Sequence, residues 1–207
     1  MEQRSEEWFA ARLGKVTASR VSDLMAKTKT GYSASRANYM AELICERMTG
    51  TQADRFQNAA MQWGTDMEPQ ARAAYAFLAD ADVTETGFVP HPAIAMFGAS
   101  PDGLVGDDGL VEIKCPNTAT HLDTLLSEVV PGQYVTQMQV QMACTGRAWC
   151  DFVSFDPRLP PELQVWVLRV HRDPDTIAAI EAETVKFLGE LDAKVEALRA
   201  RYMREAA

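Results

Sequence analysis

An α/β fold, a central mixed β-sheet flanked by helices, is what this sequence predicts, and three observations predict it. Apolar residues recur at helical spacing through most of residues 1–80, short runs with the two-residue period of strands crowd residues 81–171, and one helical stretch fills 173–203. At 207 residues, with no low-complexity tract and no fixed-period repeat, the chain is expected to form a single domain with a full core.

Ser5 caps a short first helix with Glu6 and Glu7 in its first turn and Trp8, Phe9 and Leu13 on its apolar face, and Gly14 ends it. A second helix is expected over about 19–25, then a flexible loop, Lys27-Thr28-Lys29-Thr30-Gly31. Ser35 caps a third helix that carries Met40, Leu43, Ile44 and Met48 and closes at Gly50. Residues 56–78 read as helix, interrupted near Gly64 and restarted at Glu68-Pro69, because proline is tolerated in a first turn. Strands are expected at 83–89, 95–99, 103–105, 110–114, 148–155 and 163–171, and helices at 122–128, 134–145 and 174–203.

The most informative segment is Ser100-Pro101-Asp102-Gly103-Leu104-Val105, an Asp107-Asp108-Gly109 link, and Leu110-Val111-Glu112-Ile113-Lys114-Cys115-Pro116. It reads as a tight hairpin. Alternate strand residues share a face, so Val111 and Ile113 are expected in the core and Glu112 and Lys114 on the opposite face. A buried, unpaired charge is costly, so charges beside a core are paired or bind metal. Asp102 and Glu112 are hard oxygen donors suited to Mg²⁺, and Lys114 is placed to orient or deprotonate a water or to balance a phosphate. Pro101 and Gly103 flank the aspartate and Pro116 stops the strand, which makes a plain surface ion pair the less economical explanation.

Composition narrows the classes. Cys45, Cys115, Cys144 and Cys150 form no C-x-x-C pair and are expected as buried thiols, against a zinc or iron–sulfur site. His91, His121 and His171 are too scattered for a metal site. There is no membrane-length apolar run and no signal-peptide pattern, so a soluble, intracellular protein is expected. A net charge of −9 argues against coating nucleic acid over the whole surface, but the first forty residues are locally basic. Arg4, Arg12, Lys15, Arg20, Lys27, Lys29 and Arg36 stand there, so a polyanion would meet this end. Glu68 reads as a carboxylate near a helix start, stabilised by the helix dipole. Tyr134, Gln137, Met138 and Gln141 share a helix face, so Tyr134 and Gln137 either lean over a site beside the sheet or are ordinary surface groups.

Taken together, the Ser100–Gly103 and Leu110–Pro116 blocks resemble the PD-(D/E)xK nuclease core as it occurs in the phage lambda exonuclease family, the YqaJ-type viral recombinases. The similarity extends, in order, to Trp8 through Ser19, to Trp63-Gly64 with Glu68, and to Tyr134 with Gln137-Met138-Gln139. The resemblance implies a metal-dependent 5′→3′ exonuclease that degrades one strand of duplex DNA from an end, as a ring-shaped homotrimer in the bacterial cytoplasm. It also implies a phage or prophage origin and a single-strand annealing protein as partner. By the same resemblance, two Mg²⁺ ions (Mn²⁺ as a substitute) are held by Asp102, Glu112 and the Ile113 carbonyl, with Glu68 at the second ion. Lys114 matches the catalytic lysine and Gln137 the glutamine near the nucleophilic water. Arg12, Thr17 and Ser19 fall where the family holds the terminal 5′ phosphate, and Lys29 where it has a basic loop. His91-Pro92-Ala93 stands where the family carries an acidic residue. Two alternatives stay open: an endonuclease of restriction or junction-resolving type on the same core, and a non-catalytic DNA-binding module whose hairpin charges only pair with each other. A Cas4-like iron–sulfur nuclease lacks its cysteine cluster.

Overall fold

In the computed structural model, which describes residues 2–52 and 58–203, the chain begins with a helical layer. Helix α1 (Glu6–Arg12) is capped by Ser5, whose hydroxyl accepts from the Trp8 amide. Strand β1 (Val16–Thr17), which the sequence pattern does not predict, is followed by a single 3₁₀ turn and by α2 (Val21–Met25). The helix expected from Ser19 is shortened in this way because Val16 and Thr17 are held extended, in register with Phe97 and Gly98. The loop expected at 27–31 is a hairpin instead, β2 (Lys27–Thr28) and β3 (Gly31–Tyr32), with Gly31 at φ +141° and the Thr28 hydroxyl donating to the Gly31 carbonyl. Helix α3 (Ala34–Thr49) follows Ser33, two residues ahead of the expected start, and closes on left-handed Gly50.

Helix α4 (Ala59–Ala79) runs unbroken through Gly64 and Pro69, where the sequence predicts an interruption. Pro69 removes one helical N–H. That loss is offset by Ala71 and Tyr75, both fully buried, and by a Glu68–Arg72 ion pair of 2.7 Å one turn apart. The expected start near Phe56 lies outside the described residues.

The run at 83–89 is two strands, β4 (Val83–Thr84) and β5 (Val89–Pro90), and they belong to different sheets. Between them Glu85 turns out to Arg72 at 2.6 Å, and Phe88 packs over Gly98, where a Cβ would stand 2.3 Å from its ring. With β6 (Phe97–Ala99), β5 and β1 form a small sheet in the order β1-β6-β5. The larger sheet runs β10-β9-β8-β7-β4, with β7 (Gly103–Val105), β8 (Gly109–Lys114), β9 (Trp149–Phe155) and β10 (Val165–His171). It is mixed, as predicted: β8 and β9 are parallel and the other pairs antiparallel. The parallel pair needs a long crossover, which α5 (Thr118–Ser127) and α6 (Gly132–Thr145) supply. Helix α7 (Pro174–Tyr202), capped by Asp173, packs with α2, α3 and β6 in the helical layer.

The larger sheet is covered on both faces. Val111, Ile113, Val153 and Phe155 pack with Ala71 and Tyr75 of α4, while Leu110, Cys150 and Phe152 pack with Met138 and Met142 of α6. Burying each such Val, Leu, Ile or Phe side chain contributes about 1.5–3 kcal/mol. Val111 and Ile113 enter the core as expected, but the face opposite them is core as well: α6 closes it, and Glu112 is fully buried beneath it. A second correction concerns the cysteines, since Cys45 is exposed on α3 and only the other three are buried. His121 is buried between Ser154 and the Leu163 carbonyl, at 2.7 and 2.8 Å, and serves the fold.

Candidate active site

Strand β8 outruns β7. Val111 pairs with Gly103, the first residue of β7, so Ile113 has no partner on that side. The Asp102 carboxylate takes its place and accepts the Ile113 N–H at 2.7 Å. A strand residue directs its N–H and C=O to the same side, so the Ile113 carbonyl opens onto the gap that Asp102 lines. On the other face of β8, Glu112 is held by α6. Gln137 Nε2 donates to Oε1 at 2.7 Å and Gln141 Nε2 to Oε2 at 2.5 Å, and Lys114 Nζ forms an ion pair with Oε1. The four-residue step from Gln137 to Gln141 brings both amides down on one carboxylate. Tyr134, one turn earlier, stacks on Phe152 and lies 5.1 Å from Lys114 Nζ, measured to its ring.

Glu68 enters from α4. It sits well inside that helix on the stripe that includes Ala71 and Tyr75, which corrects the reading of a helix-start carboxylate. Arg72 Nη2 donates to its Oε1 and Arg4 Nη2 to its Oε2, both at 2.7 Å. Arg4, Glu68, Asp102, Ile113, Lys114 and Tyr134 line one cleft of about 470 Å³ at the end of β8.

The cleft is electrostatically crowded. Burial raises the Asp102 pKa well above the usual carboxylate range, Glu112 and Glu68 push it further, and Lys114 and the Ile113 N–H only partly oppose them. Burial works against the charged form of Lys114, yet Glu112 and Asp102 outweigh it and hold the ammonium above its ordinary value. Beside them, burial, with Glu68 and then Asp102, pushes the Cys115 thiol up to about 12, so it is neutral and inert. Among the described residues no three His, Cys, Asp or Glu side chains form a ready-made metal cage. The donor chemistry nonetheless fits a hard divalent cation: Asp102, Glu112 and the Ile113 carbonyl are all oxygens, and a cation relieves the like-charge crowding that raises Asp102. Glu68 already accepts from two guanidinium groups, so an ion that uses it competes with them.

Gln137 and Glu112, predicted together at the site, are in direct contact. Gln141, read only as sharing a helix face, and Arg4, read only as one of the basic residues near the start of the chain, are not assigned to the carboxylate site by the sequence. For Gln141 the signal is its shared face with Gln137, whereas nothing in the local sequence around Arg4 points to Glu68. Arg12 stacks on Trp8 at 4.0 Å, and both donate to the Ser100 hydroxyl, at 3.0 and 2.9 Å, two residues before Asp102. Thr17 is buried and Ser19 exposed, just after β1, whose partner β6 leads directly into Ser100. Lys29 stands exposed at the β2–β3 turn and is not among the residues that line the cleft. His91 is buried outside the cleft: its Nδ1 accepts from the Ala93 and Ile94 amides, and its Nε2 meets Glu181 at 3.0 Å.

Residues 7–148 match the YqaJ-like viral recombinase domain. LHK-Exo, an alkaline exonuclease from Laribacter hongkongensis, is 58% identical; its crystal structure in complex with dAMP superposes with a TM-score of 0.92, covering 98% of this chain and 100% of that one. A phage-related exonuclease from Haemophilus somnus 129PT shares the fold, with a TM-score of 0.74 at 16% identity over 89% of this chain and 96% of that chain. The uncharacterized protein R354 of Acanthamoeba polyphaga mimivirus is 24% identical over 169 residues, which is 74% of this chain and 29% of that protein's length. The chain therefore belongs to the YqaJ-like viral recombinases, the lambda exonuclease family of nucleases built on the PD-(D/E)xK fold.

Proposed function

We propose that the chain is a single-domain, Mg²⁺-dependent exonuclease that resects linear duplex DNA 5′→3′ and leaves 3′ single strands for annealing-type recombination. The observation that carries this reading is the meeting of Asp102, Glu112 and Lys114 at the end of β8, with Glu112 aimed by the amides of buried Gln141 and half-buried Gln137. Asp102, Glu112 and the Ile113 carbonyl are the proposed ligands of one cation, and Glu68 contributes to a second. Bound there, two such ions supply Lewis-acid stabilisation of charge on the reacting phosphate. The protein's own part is orientation. Gln137 and Gln141 fix the Glu112 carboxylate, and Lys114, kept charged by Glu112 and Asp102, holds the attacking water and counters charge on the phosphoryl oxygens.

Attack of water on the phosphorus breaks the P–O3′ bond, releases a 5′-mononucleotide and leaves the next residue with a 5′ phosphate. A deoxynucleoside monophosphate is also the class of molecule bound by the 58% identical relative. Arg12, with Thr17 and Ser19, is the proposed receptor for each new 5′ phosphate, through charge-assisted hydrogen bonds, and Lys29 is a more distant backbone contact. Contacts to phosphate carry little sequence preference. A ring-shaped homotrimer around the duplex, action in the bacterial cytoplasm and handover of the product strand to a single-strand annealing protein complete the proposal. No helix among the described residues is long and apolar enough to cross a membrane.

Linear duplex labelled at either the 5′ or the 3′ end, incubated with Mg²⁺ beside a closed circular duplex, tests this reading. The 5′ label should appear first as mononucleotide while the circle stays intact. Release of the 3′ label first would reverse the polarity, and cutting of the circle would establish an endonuclease.

A further inference from the structure

Arg4 has no part in the chemistry above, yet its guanidinium lies in the same cleft as Asp102 and Lys114. The chain builds this placement. Gln3 Nε2 donates to the Pro101 carbonyl at 2.7 Å and to the Thr86 carbonyl at 3.0 Å, strapping the segment before α1 across the loop that carries Asp102. Arg4 itself takes φ +67°, a backbone region that residues other than glycine seldom adopt, and such positions persist where the surroundings impose them.

The two arginines on Glu68 are not equivalent. Arg72 lies one turn along the same helix, is 14% exposed, and is also tied to Glu85 at 2.6 Å. Arg4 belongs to no helix or strand and is 49% exposed. Arg4 and Arg72 both sit on Glu68, while Lys114 alone answers the Asp102 and Glu112 carboxylates. A divalent cation that uses Glu68 adds two positive charges beside two guanidinium groups. Both guanidinium groups then compete with the ion, and Arg4, the more exposed and less constrained of the two, is the one that can move aside.

We propose that Arg4 is a mobile counter-ion of the cleft. It occupies Glu68 in the cation-free protein and yields to the second divalent cation. Still tethered through Gln3, it then pairs with a backbone phosphate of the DNA strand entering the cleft. This role rests on the proposed reading of Glu68 as a cation ligand. Guanidinium suits both positions, because its fork of N–H donors matches carboxylate and phosphate equally well.

Calorimetric titration of Ca²⁺ into the DNA-free full chain tests the first half. With the competing charge removed in Arg4→Gln, the Glu68-dependent ion should bind about 5-fold more tightly, the scale of a partly exposed ion pair, and Arg4→Lys should fall between. Duplex binding followed by anisotropy in Ca²⁺ tests the second half, where Arg4→Gln should lower the slope of log affinity against log salt by about 1. An unchanged isotherm for Arg4→Gln overturns the counter-ion role, and an unchanged salt slope overturns the phosphate contact. Glu68→Gln separates the levels. Loss of one bound ion in that variant, with a wild-type isotherm for Arg4→Gln, removes only the role of Arg4, whereas a wild-type Ca²⁺ stoichiometry removes Glu68 as a ligand and Arg4 with it.

Discussion

Two buried carboxylate sites lie on the same two parallel strands and differ in how well their charge is met. On β9, Asp151 accepts from the Tyr75 hydroxyl at 2.8 Å and from Arg169 Nε and Nη2 at 2.8 and 3.0 Å, so a single carboxylate has three matched donors. At the end of β8, Asp102, Glu112 and Glu68 crowd together, and burial, then Glu112 and Glu68, raise the Asp102 pKa. Both arrangements sit beside one sheet and in one register, with Val111 opposite Asp151. A carboxylate satisfied by protein partners is a structural element. A surplus of carboxylates in a cleft is destabilising until something positive joins it, and proteins keep such strain where function needs it.

The contrast is broken most sharply by parallel substitutions. Asp102→Asn, which keeps an acceptor for the Ile113 N–H, should lower kcat on linear duplex roughly 10³-fold, the scale of losing a group that stabilises transition-state charge, with urea stability equal or higher. Asp151→Asn should do the reverse and cost about 2–3 kcal/mol of stability, since Arg169 is half exposed and regains water, while kcat stays within about twofold. Large activity loss in Asp151→Asn, or large stability loss in Asp102→Asn, would erase the distinction between the two sites.

Gln141 sharpens it. The side chain is fully buried and holds one Glu112 oxygen, so Gln141→Leu should weaken Mn²⁺ binding about 10-fold, as loss of an orienting partner of a metal ligand does. A Mn²⁺ isotherm identical to wild type would reduce Gln141 to packing.

A smaller effect concerns a carboxylate of the matched kind, Asp156. Burial pushes its pKa up, but hydrogen bonds from Arg158 and Thr118 outweigh that and bring it down to about 2. Its folded value lies below the unfolded value of about 3.9, so its stabilisation is present above pH 4 and is lost as the pH falls toward 2. The urea midpoint should drop more between pH 4.5 and about 2.5 in wild type than in Asp156→Asn, and equal drops would contradict the assignment.

Much of this was legible where local pattern and tertiary demand agree. The short, mostly apolar runs at 110–114 and 149–155 mark β8 and β9, and the Asp102–Lys114 spacing marks the cleft at the end of β8. Reading failed where a distant partner overrides local preference. Glu85 and Phe88 divide 83–89 between two sheets because Arg72 and Gly98 stand on either side. Pro69 stays inside α4 because Ala71 and Tyr75 are anchored on the sheet. The alternation of β8 sets Glu112 opposite Val111 and Ile113, but α6 covers that face too and brings two amides that make its burial tolerable. Arg4 is separated from Glu68 by 64 residues, and no period or spacing encodes that contact.

The most direct test is anomalous scattering from crystals of the protein soaked in Mn²⁺. The expected result is a manganese peak bound by Asp102, Glu112 and the Ile113 carbonyl, with none at Asp151 and Arg169. No peak at the end of β8, or a peak at Asp151 alone, would contradict the assignment of the crowded carboxylates as the cation site.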